Sequence, residues 1–436
     1  MQKKLTIGIL RETKNKWEKR APLTPQDVGW LINKGIFVEI EASSRRIFKD
    51  AEYKKQGARV VRDIRQAELL VGIKAPKLKD LKKAKTYLIF SHTSKGQPAN
   101  MPLLKKILQN KNSLLDYEKI TNAAGKRLVY FGHFAGICGA IDSLYYFGQK
   151  LEKQKIRNPF KGLKPAFKYQ SIATAKKDLR KISKTIRTRG VPKEIAPLLV
   201  GITGHGNVAK GALEMLEILS PQEIHPQDIN HYVQKHKKNN KQVYTIVLKK
   251  TEKLRTKDGS PYVHKKYLKY PEKYKSNLDH YLPCLNLLIH GSYWDKRFPK
   301  MVTRQMLQKL LRQRKLRCQF IGDLSCDVNG GIEITAEATT PDRPVLTYDP
   351  KRNVVEAGLR PEGITVLAVD NLPAELPRDS SKEFSKLSRV FIAKLAFSGV
   401  RSIVRCGNIS PEIKKAVIVE QGKLTPDFLY LRRSLR

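Results

Sequence analysis

Apolar and polar positions alternate in short blocks along the first third of the chain. Compact apolar runs at 6–10, 37–41, 69–74, 86–91 and 113–117 predict buried strands. Helix signals lie between them. Thr24 is placed to cap a helix that opens on Pro25, Asp27 adds an acid to its first turn, and Gly35 stops it. Residues 51–57 repeat the idea in a shorter form. Strand–helix alternation of this period predicts a parallel sheet with helices on its faces. Residues 131–152 are small and apolar at helical spacing, which predicts a long, closely packed helix. A basic stretch at 150–190, broken by Pro159 and Pro165, precedes a buried-strand pattern at 197–203 that opens a second α/β unit. Residues 232–276 read as an exposed, lysine-rich excursion; further strands are expected at 285–290, 319–324 and 365–370, and a helix from Lys382 to about Val400.

The strand at 198–203 runs into Gly204-His205-Gly206-Asn207-Val208-Ala209, a G-x-G-x-x-A pattern followed by helical periodicity. The first glycine permits a tight turn and the second lets a pyrophosphate approach the backbone. The third small residue allows close helix–strand packing, with the helix N-terminus facing the phosphates. A dinucleotide site is therefore expected here. An acid about 20 residues on normally binds the ribose hydroxyls. Glu223 and His225 are the candidates, and His225 at a strand end would leave no carboxylate to repel a 2′-phosphate. That favours NADP(H) slightly over NAD(H).

Composition changes the picture in one respect. Lys and Arg number 85 against 40 Asp and Glu, a formal net charge of +45. Two segments hold 23 of those charges: 150–190, with 14 basic and 2 acidic residues, and 235–275, with 14 and 3. Such a balance is the footprint of a nucleic-acid binder. However, no helix-turn-helix, zinc-finger or RRM signature accompanies it, so non-specific binding is the most the charge predicts. At 40% hydrophobic the chain can build cores, and no window approaches the roughly 18 apolar residues of a membrane span. Five scattered cysteines make no C-x-x-C pair, which argues against disulfide frameworks and Cys-type zinc sites, and no metal is expected. With no leader-like segment before residue 6, a cytoplasmic protein is expected.

Four motifs fall at expected strand ends: Trp17-Glu18-Lys19-Arg20-Ala21-Pro22-Leu23-Thr24-Pro25, Gly72-Ile73-Lys74-Ala75-Pro76, Phe90-Ser91-His92-Thr93-Ser94-Lys95-Gly96-Gln97, and Asp116-Tyr117-Glu118 with Arg127 soon after. Ligands of parallel sheets bind outside the carboxyl ends of the strands, so Lys74, His92 and Glu118 converge. With "FGHFAGICG", "GITGHGNVAKGA", "GDLSCDVNGGIEIT" and "AVDNLPAELP", these motifs run in order through nearly the whole chain. In them the sequence resembles the lysine–2-oxoglutarate reductase part of aminoadipic semialdehyde synthases. It is more distantly similar to fungal lysine-forming saccharopine dehydrogenases and to alanine dehydrogenase.

The resemblance implies two Rossmann-like, doubly wound parallel-sheet domains flanking a cleft. A substrate domain would span 1–137, completed by 378–436. A dinucleotide domain would span 138–377, with a basic insertion at 232–276. The implied reaction joins L-lysine to 2-oxoglutarate and reduces the imine with NAD(P)H to saccharopine, which a separate enzyme would cleave. The residues matching Lys74 and His92 are the acid–base pair. A lysine must be pushed down toward neutrality to act as a base, and neighbouring cations would do so. Arg20 and Arg127 would anchor carboxylates, since a guanidinium fork suits them. Lys95, Gln97, Glu118 and Phe131 would face substrate. Gly204, Gly206, Asn207, Val208, His225, His290, Asp323, Leu324, Ser325 and Asp327 would contact the cofactor. The sequence departs from the pattern at His290-Gly291, where animal relatives have Asn-Gly, and at Ala75, where fungal dehydrogenases carry an acid. An NAD-dependent enzyme running towards lysine, or a related reductase using another amine, is the alternative; from another class, the charge leaves a basic nucleic-acid-binding protein.

Overall fold

A computed structural model describes residues 6–398, 403 and 409–435. It divides into two compact units, one of residues 1–131 and 377–436, the other of residues 132–376. The break expected at 137/138 would cut a helix, Gly132–Lys153, so the chain changes unit at that helix's start instead.

The strands, numbered along the chain, are β1 Thr6–Ile9, β2 Phe37–Glu41, β3 Arg59–Val61, β4 Leu69–Lys74, β5 Thr86–Phe90 and β6 Ser113–Asp116 in the first unit. The second unit has β7 Leu198–Thr203, β8 Gln222–Glu223, β9 Val243–Leu248, β10 Leu254–Thr256, β11 Tyr274–Ser276, β12 Leu287–His290, β13 Phe320–Asp323, β14 Val345–Asp349, β15 Val354–Ala357 and β16 Ile364–Leu367. β17 Val417–Glu420 and β18 Lys423–Leu424 return to the first. The first sheet runs β3-β2-β1-β4-β5-β6 in parallel, extended by antiparallel β17 and β18. Its central strands β1, β4, β5 and β6 are almost wholly buried, as a parallel sheet covered on both faces requires, while the edge strands β3 and β18 are partly exposed. Thr24 caps the helix Pro25–Asn33, accepting the Asp27 amide at 3.1 Å. The helix Pro377–Ser398 pins that entrance. Ser381 and Ser385 accept the amides of Ala21 and Thr24 at 2.9 Å, and Arg389 pairs with Asp27 at 2.7 Å. This helix begins five residues before the expected Lys382, and the end expected near Val400 lies outside the described residues.

The second sheet runs β8-β9-β7-β12-β13-β16 in parallel, then antiparallel β14 and β15. Here the expected surface excursion at 232–276 is corrected. Its apolar run Val-Tyr-Thr-Ile-Val-Leu is β9, largely buried and paired along its whole length with β7. The helix Gly132–Lys153 lies against Asn207–Leu216 at backbone contact. A Cβ on Gly136 would overlap the Val208 carbonyl, and one on Gly211 the His133 carbonyl. The basic stretch at 150–190 contains a helix, Ile172–Arg189, which buries Leu179, Ile182 and Ile186 and turns its charges outward. Cys138, Cys284, Cys318 and Cys326 are free thiols; Cys406 lies outside the described residues. No helix among the described residues is long and apolar enough to cross a membrane.

Candidate functional site

In the first unit the site is built on the carboxyl ends of β4, β5 and β6. Lys74 is the last residue of β4, set opposite Phe90 after an irregularity in the β4–β5 register. Its amide donates to Glu12 Oε2 at 3.0 Å, and the Ile73 amide to Glu12 Oε1 at 2.6 Å. Burial, with Glu18 adding repulsion, pushes the Glu12 carboxyl up to about 7 against the pull of these amides and Arg20. A group that changes charge near neutrality is thus bonded to the backbone of Lys74.

Asp116, at the end of β6, shapes the His92 turn. One carboxylate oxygen accepts the Ser91 amide at 3.0 Å, the Ser91 hydroxyl at 2.5 Å and the His92 amide at 3.1 Å; the other accepts the Glu118 amide at 2.8 Å. Burial holds this carboxyl above its ordinary value. So clamped, His92 adopts a left-handed conformation with φ of 55°, uncommon for a residue with a Cβ. Its Nδ1 lies 3.6 Å from Glu118 Oε1, which also pairs with Arg127 Nη1 at 3.2 Å. Burial would raise Glu118, but His92, Arg127 and Lys95 outweigh it, and the carboxyl sits at about 2. His92, Glu118 and Arg127 therefore form one charge-coupled cluster with Lys95 close by. Lys95 and Gln97 are exposed on the turn after His92, where Gln97 accepts the Asn100 amide group at 3.3 Å.

Arg20 departs from its expected role. Its Nε and Nη2 grip Glu18 Oε1 and Oε2 at 2.8 and 2.6 Å, both side chains are almost wholly buried, and the guanidinium lies 4.1 Å from the Phe131 ring centroid. Its fork is occupied by a carboxylate of its own chain. It acts as a neutralised strut beneath Phe131, which stacks on Phe384 at 4.3 Å. Of the two expected guanidinium anchors, only Arg127 is substantially exposed.

In the second unit the glycine loop follows β7. Gly204 has φ of +101°, and a Cβ there would come within 3.0 Å of Ser292 Oγ and 3.1 Å of the Gly291 carbonyl. Around Gly206, by contrast, nothing lies within 4 Å of where a Cβ would be. Asn207 and Val208 open the helix and are half-buried. A backbone cradle that is open at its second glycine fits a dinucleotide pyrophosphate.

The expected ribose contact does not fit. β8 is the edge strand, and β9 stands between it and β7, so the exposed His225 just past β8 lies one strand too far out. His290 is fully buried at the end of β12. Its Nδ1 hydrogen-bonds Thr203 Oγ1 at 2.8 Å, and burial, with Lys253 nearby, brings it down to about 3, so the ring is neutral. Its Nε2 is buried without a partner. Asp323 is also fully buried, and its Oδ1 and Oδ2 accept the Ser325 and Thr335 hydroxyls, each at 2.7 Å. It fixes the loop after β13 and presents no oxygen outward. Leu324 packs on Gly139, whereas Ser325 and Asp327 are half-exposed.

Glu12, Glu18 and Asp116 were not singled out in the sequence, yet they hold the three expected residues Lys74, Arg20 and His92. Glu12 had a signal: it is the first acid beyond β1, at the same sheet edge.

Residues 8–138 match the alanine dehydrogenase/PNT N-terminal domain family, and residues 171–427 the matching C-terminal domain family. The chain is 34% identical over 444 residues to the mitochondrial alpha-aminoadipic semialdehyde synthase of Bos taurus, covering 99% of this chain and 48% of that protein. It is 33% identical to the Arabidopsis thaliana alpha-aminoadipic semialdehyde synthase, covering 98% and 41%. It thus spans about half the length of these relatives or less. A saccharopine dehydrogenase (NAD+, L-lysine-forming) of Neurospora crassa is 25% identical over 386 residues, covering 87% of this chain and 88% of that one. Among solved structures, an L-alanine dehydrogenase superposes with a TM-score of 0.63 at 18% identity, covering 99% of this chain and all of that one. A transhydrogenase from Sinorhizobium meliloti gives 0.56 at 14%, covering 96% of this chain and all of that one. By the two family models, which together span most of its length, the chain belongs to the alanine dehydrogenase/PNT family.

Proposed function

We propose that this chain joins the ε-amine of L-lysine to the keto carbon of 2-oxoglutarate and reduces the resulting imine, giving saccharopine. One observation carries the reading: Lys74 and the His92–Glu118–Arg127 cluster stand together at the carboxyl ends of β4, β5 and β6. Similarity to two kinds of protein, named for aminoadipic semialdehyde and for saccharopine, supports it.

The chemistry suits those groups. Attack of a neutral amine on the carbonyl needs a base to take the amine proton and an acid to protonate the oxygen; loss of water from the carbinolamine needs the acid again. Lys74 and His92 exchange these protons. Glu118 holds His92 in place, while Arg127 and Lys95 offer cations to the carboxylates of 2-oxoglutarate. A bound dihydronicotinamide dinucleotide supplies the hydride; Gly204, Gly206 and the start of the helix Asn207–Leu216 would hold it. Saccharopine then passes to an activity that cleaves it. Mixing lysine, 2-oxoglutarate and NADPH or NADH and following absorbance at 340 nm tests the reading. Lysine-dependent oxidation is expected, with ornithine a much poorer amine. If neither cofactor is consumed in a lysine-dependent way, the activity is wrong. The same site run in reverse would release lysine from saccharopine, and the assay with saccharopine and NAD+ or NADP+ measures that direction.

A further inference from the structure

The exchange of strand order in the second sheet moves the cofactor-reading position. In a dinucleotide fold, the residue beyond the strand next to the glycine-loop strand meets the adenosine ribose; an acid there takes the 2′-hydroxyl, and a basic residue admits a 2′-phosphate. That strand here is β9. The first glycine of the loop donates its amide to Leu248 O, the last carbonyl of β9, at 3.0 Å. The residues that follow are Lys249, Lys250, Thr251, Glu252 and Lys253.

Three of these five are lysines, and among the described residues none of the three makes an ion pair. Lys249 is exposed and Lys250 half-exposed. Lys253 is buried. Its Nζ bonds Ser292 Oγ at 2.6 Å, and that oxygen is the one that crowds Gly204. The Lys253 chain therefore reaches from the segment after β9 to Ser292, two residues beyond β12 and against Gly204 at the end of β7. Burial and Lys250 bring its ammonium down to about 8. The single acid in the run turns elsewhere: Glu252 Oε1 accepts the Thr251 hydroxyl at 2.5 Å, and its charge is felt by Tyr281. A cluster of unneutralised ammonium groups beside a phosphate cradle calls for an anion.

We propose that Lys249 and Lys250 bind the 2′-phosphate that distinguishes NADP(H) from NAD(H), with Lys253 behind them facing the pyrophosphate over the glycine loop. This rests on the dinucleotide reading of that loop and makes the chain an NADP(H) enzyme. It assigns to β9 the role that spacing had placed at His225.

The test is binding without lysine or 2-oxoglutarate, so it stands apart from the activity. The full chain is titrated with NADPH and with NADH, following dihydronicotinamide fluorescence. NADPH should bind at least about tenfold more tightly, and adenosine 2′,5′-bisphosphate should displace it at least about tenfold better than AMP, as for a charge-assisted contact. Replacing both surface lysines (Lys249→Ala with Lys250→Ala) should weaken NADPH roughly ten- to a hundredfold while NADH changes by less than about threefold. Equal affinity of the unaltered protein for the two cofactors overturns the proposal, as does an equal loss of both in the double variant. Selective loss of NADH in Glu252→Gln would show instead that the acid reads the ribose. Failure of either cofactor to bind removes the dinucleotide site and this proposal with it.

Discussion

Arg20 and Lys253 are both buried cations at the carboxyl end of an eight-stranded sheet, and they are held in different ways. Arg20 is forked onto Glu18, and around it Arg127 and His92 share Glu118. Lys253 has a serine hydroxyl and, among the described residues, no carboxylate in contact. The first unit gives its buried cation a carboxylate of its own and keeps Arg127 and Lys95 exposed, where the proposed reaction needs them for substrate carboxylates. The second leaves the buried Lys253 without a carboxylate, a cost that a counter-charge arriving from outside would offset. Two sheets of the same architecture thus differ in how they hold a buried cation: the first with a carboxylate of its own chain, the second with a hydroxyl beside the glycine loop.

The largest expected effect breaks the first half of that contrast. Lys74→Met and His92→Gln should each lower turnover by roughly 10²–10⁴ while leaving NADPH binding within about threefold, because they act on protons and not on the cofactor. Turnover near normal in both would take the acid–base work away from this cluster. A smaller and opposite effect probes the second half. In the fold Lys253 titrates at about 8, against 10.5. The fold disfavours its charged form, so the penalty is present below pH 8 and fades as pH rises towards 10.5. Lys253→Met should therefore stabilise the cofactor-free protein by about 1–3 kcal/mol at pH 7, with the gain shrinking above pH 8. It should also cost affinity for NADPH and NADH alike. A variant that melts below the parent at pH 7 would mean the lysine is already compensated.

Where the sequence was legible follows the same division. Phe37–Glu41, Leu69–Lys74 and Leu198–Thr203 are the spans expected, because buried parallel strands bounded by turn residues show as compact apolar runs. Lys74, His92 and Glu118 could be found because each directly follows or ends such a run. β9 carries the same signature, Val-Tyr-Thr-Ile-Val-Leu, but the lysines on both sides give the segment the pattern of a solvated loop, and spacing then points to His225. Strand order is a matter of pairing between distant segments, and nothing in the local pattern says that β9 displaces β8 from the side of β7. The role of Arg20 is hidden in the sequence for a related reason. Its partner, Glu18, is two residues away and visible, but burial of the pair depends on Phe131 and on the helix Pro377–Ser398, far along the chain. Much of the +45 is surface, as the helix Ile172–Arg189 shows, yet the exception at 249–253 lies inside one of its densest segments.

Glu118 gives the smallest and sharpest test, because its sign is the reverse of that of Lys253. Its carboxyl sits at about 2 in the fold against an ordinary 4.5, since His92, Arg127 and Lys95 more than offset burial. A depressed carboxylate adds stability that is complete above its ordinary value and is lost as pH falls through the folded value. Glu118→Gln should thus destabilise by roughly 1–2 kcal/mol at pH 6, a figure held down because the Arg127 side chain is 48% exposed and its pairing is screened. The gap between variant and parent should close between pH 4.5 and 2, whereas the gap for Lys253→Met should not move there at all. Urea unfolding of the three proteins from pH 7 to pH 3 measures both. If the Glu118 gap stays constant across that range, the carboxylate is not the group that holds His92 and Arg127 together, and the pairing drawn for the first unit fails with it.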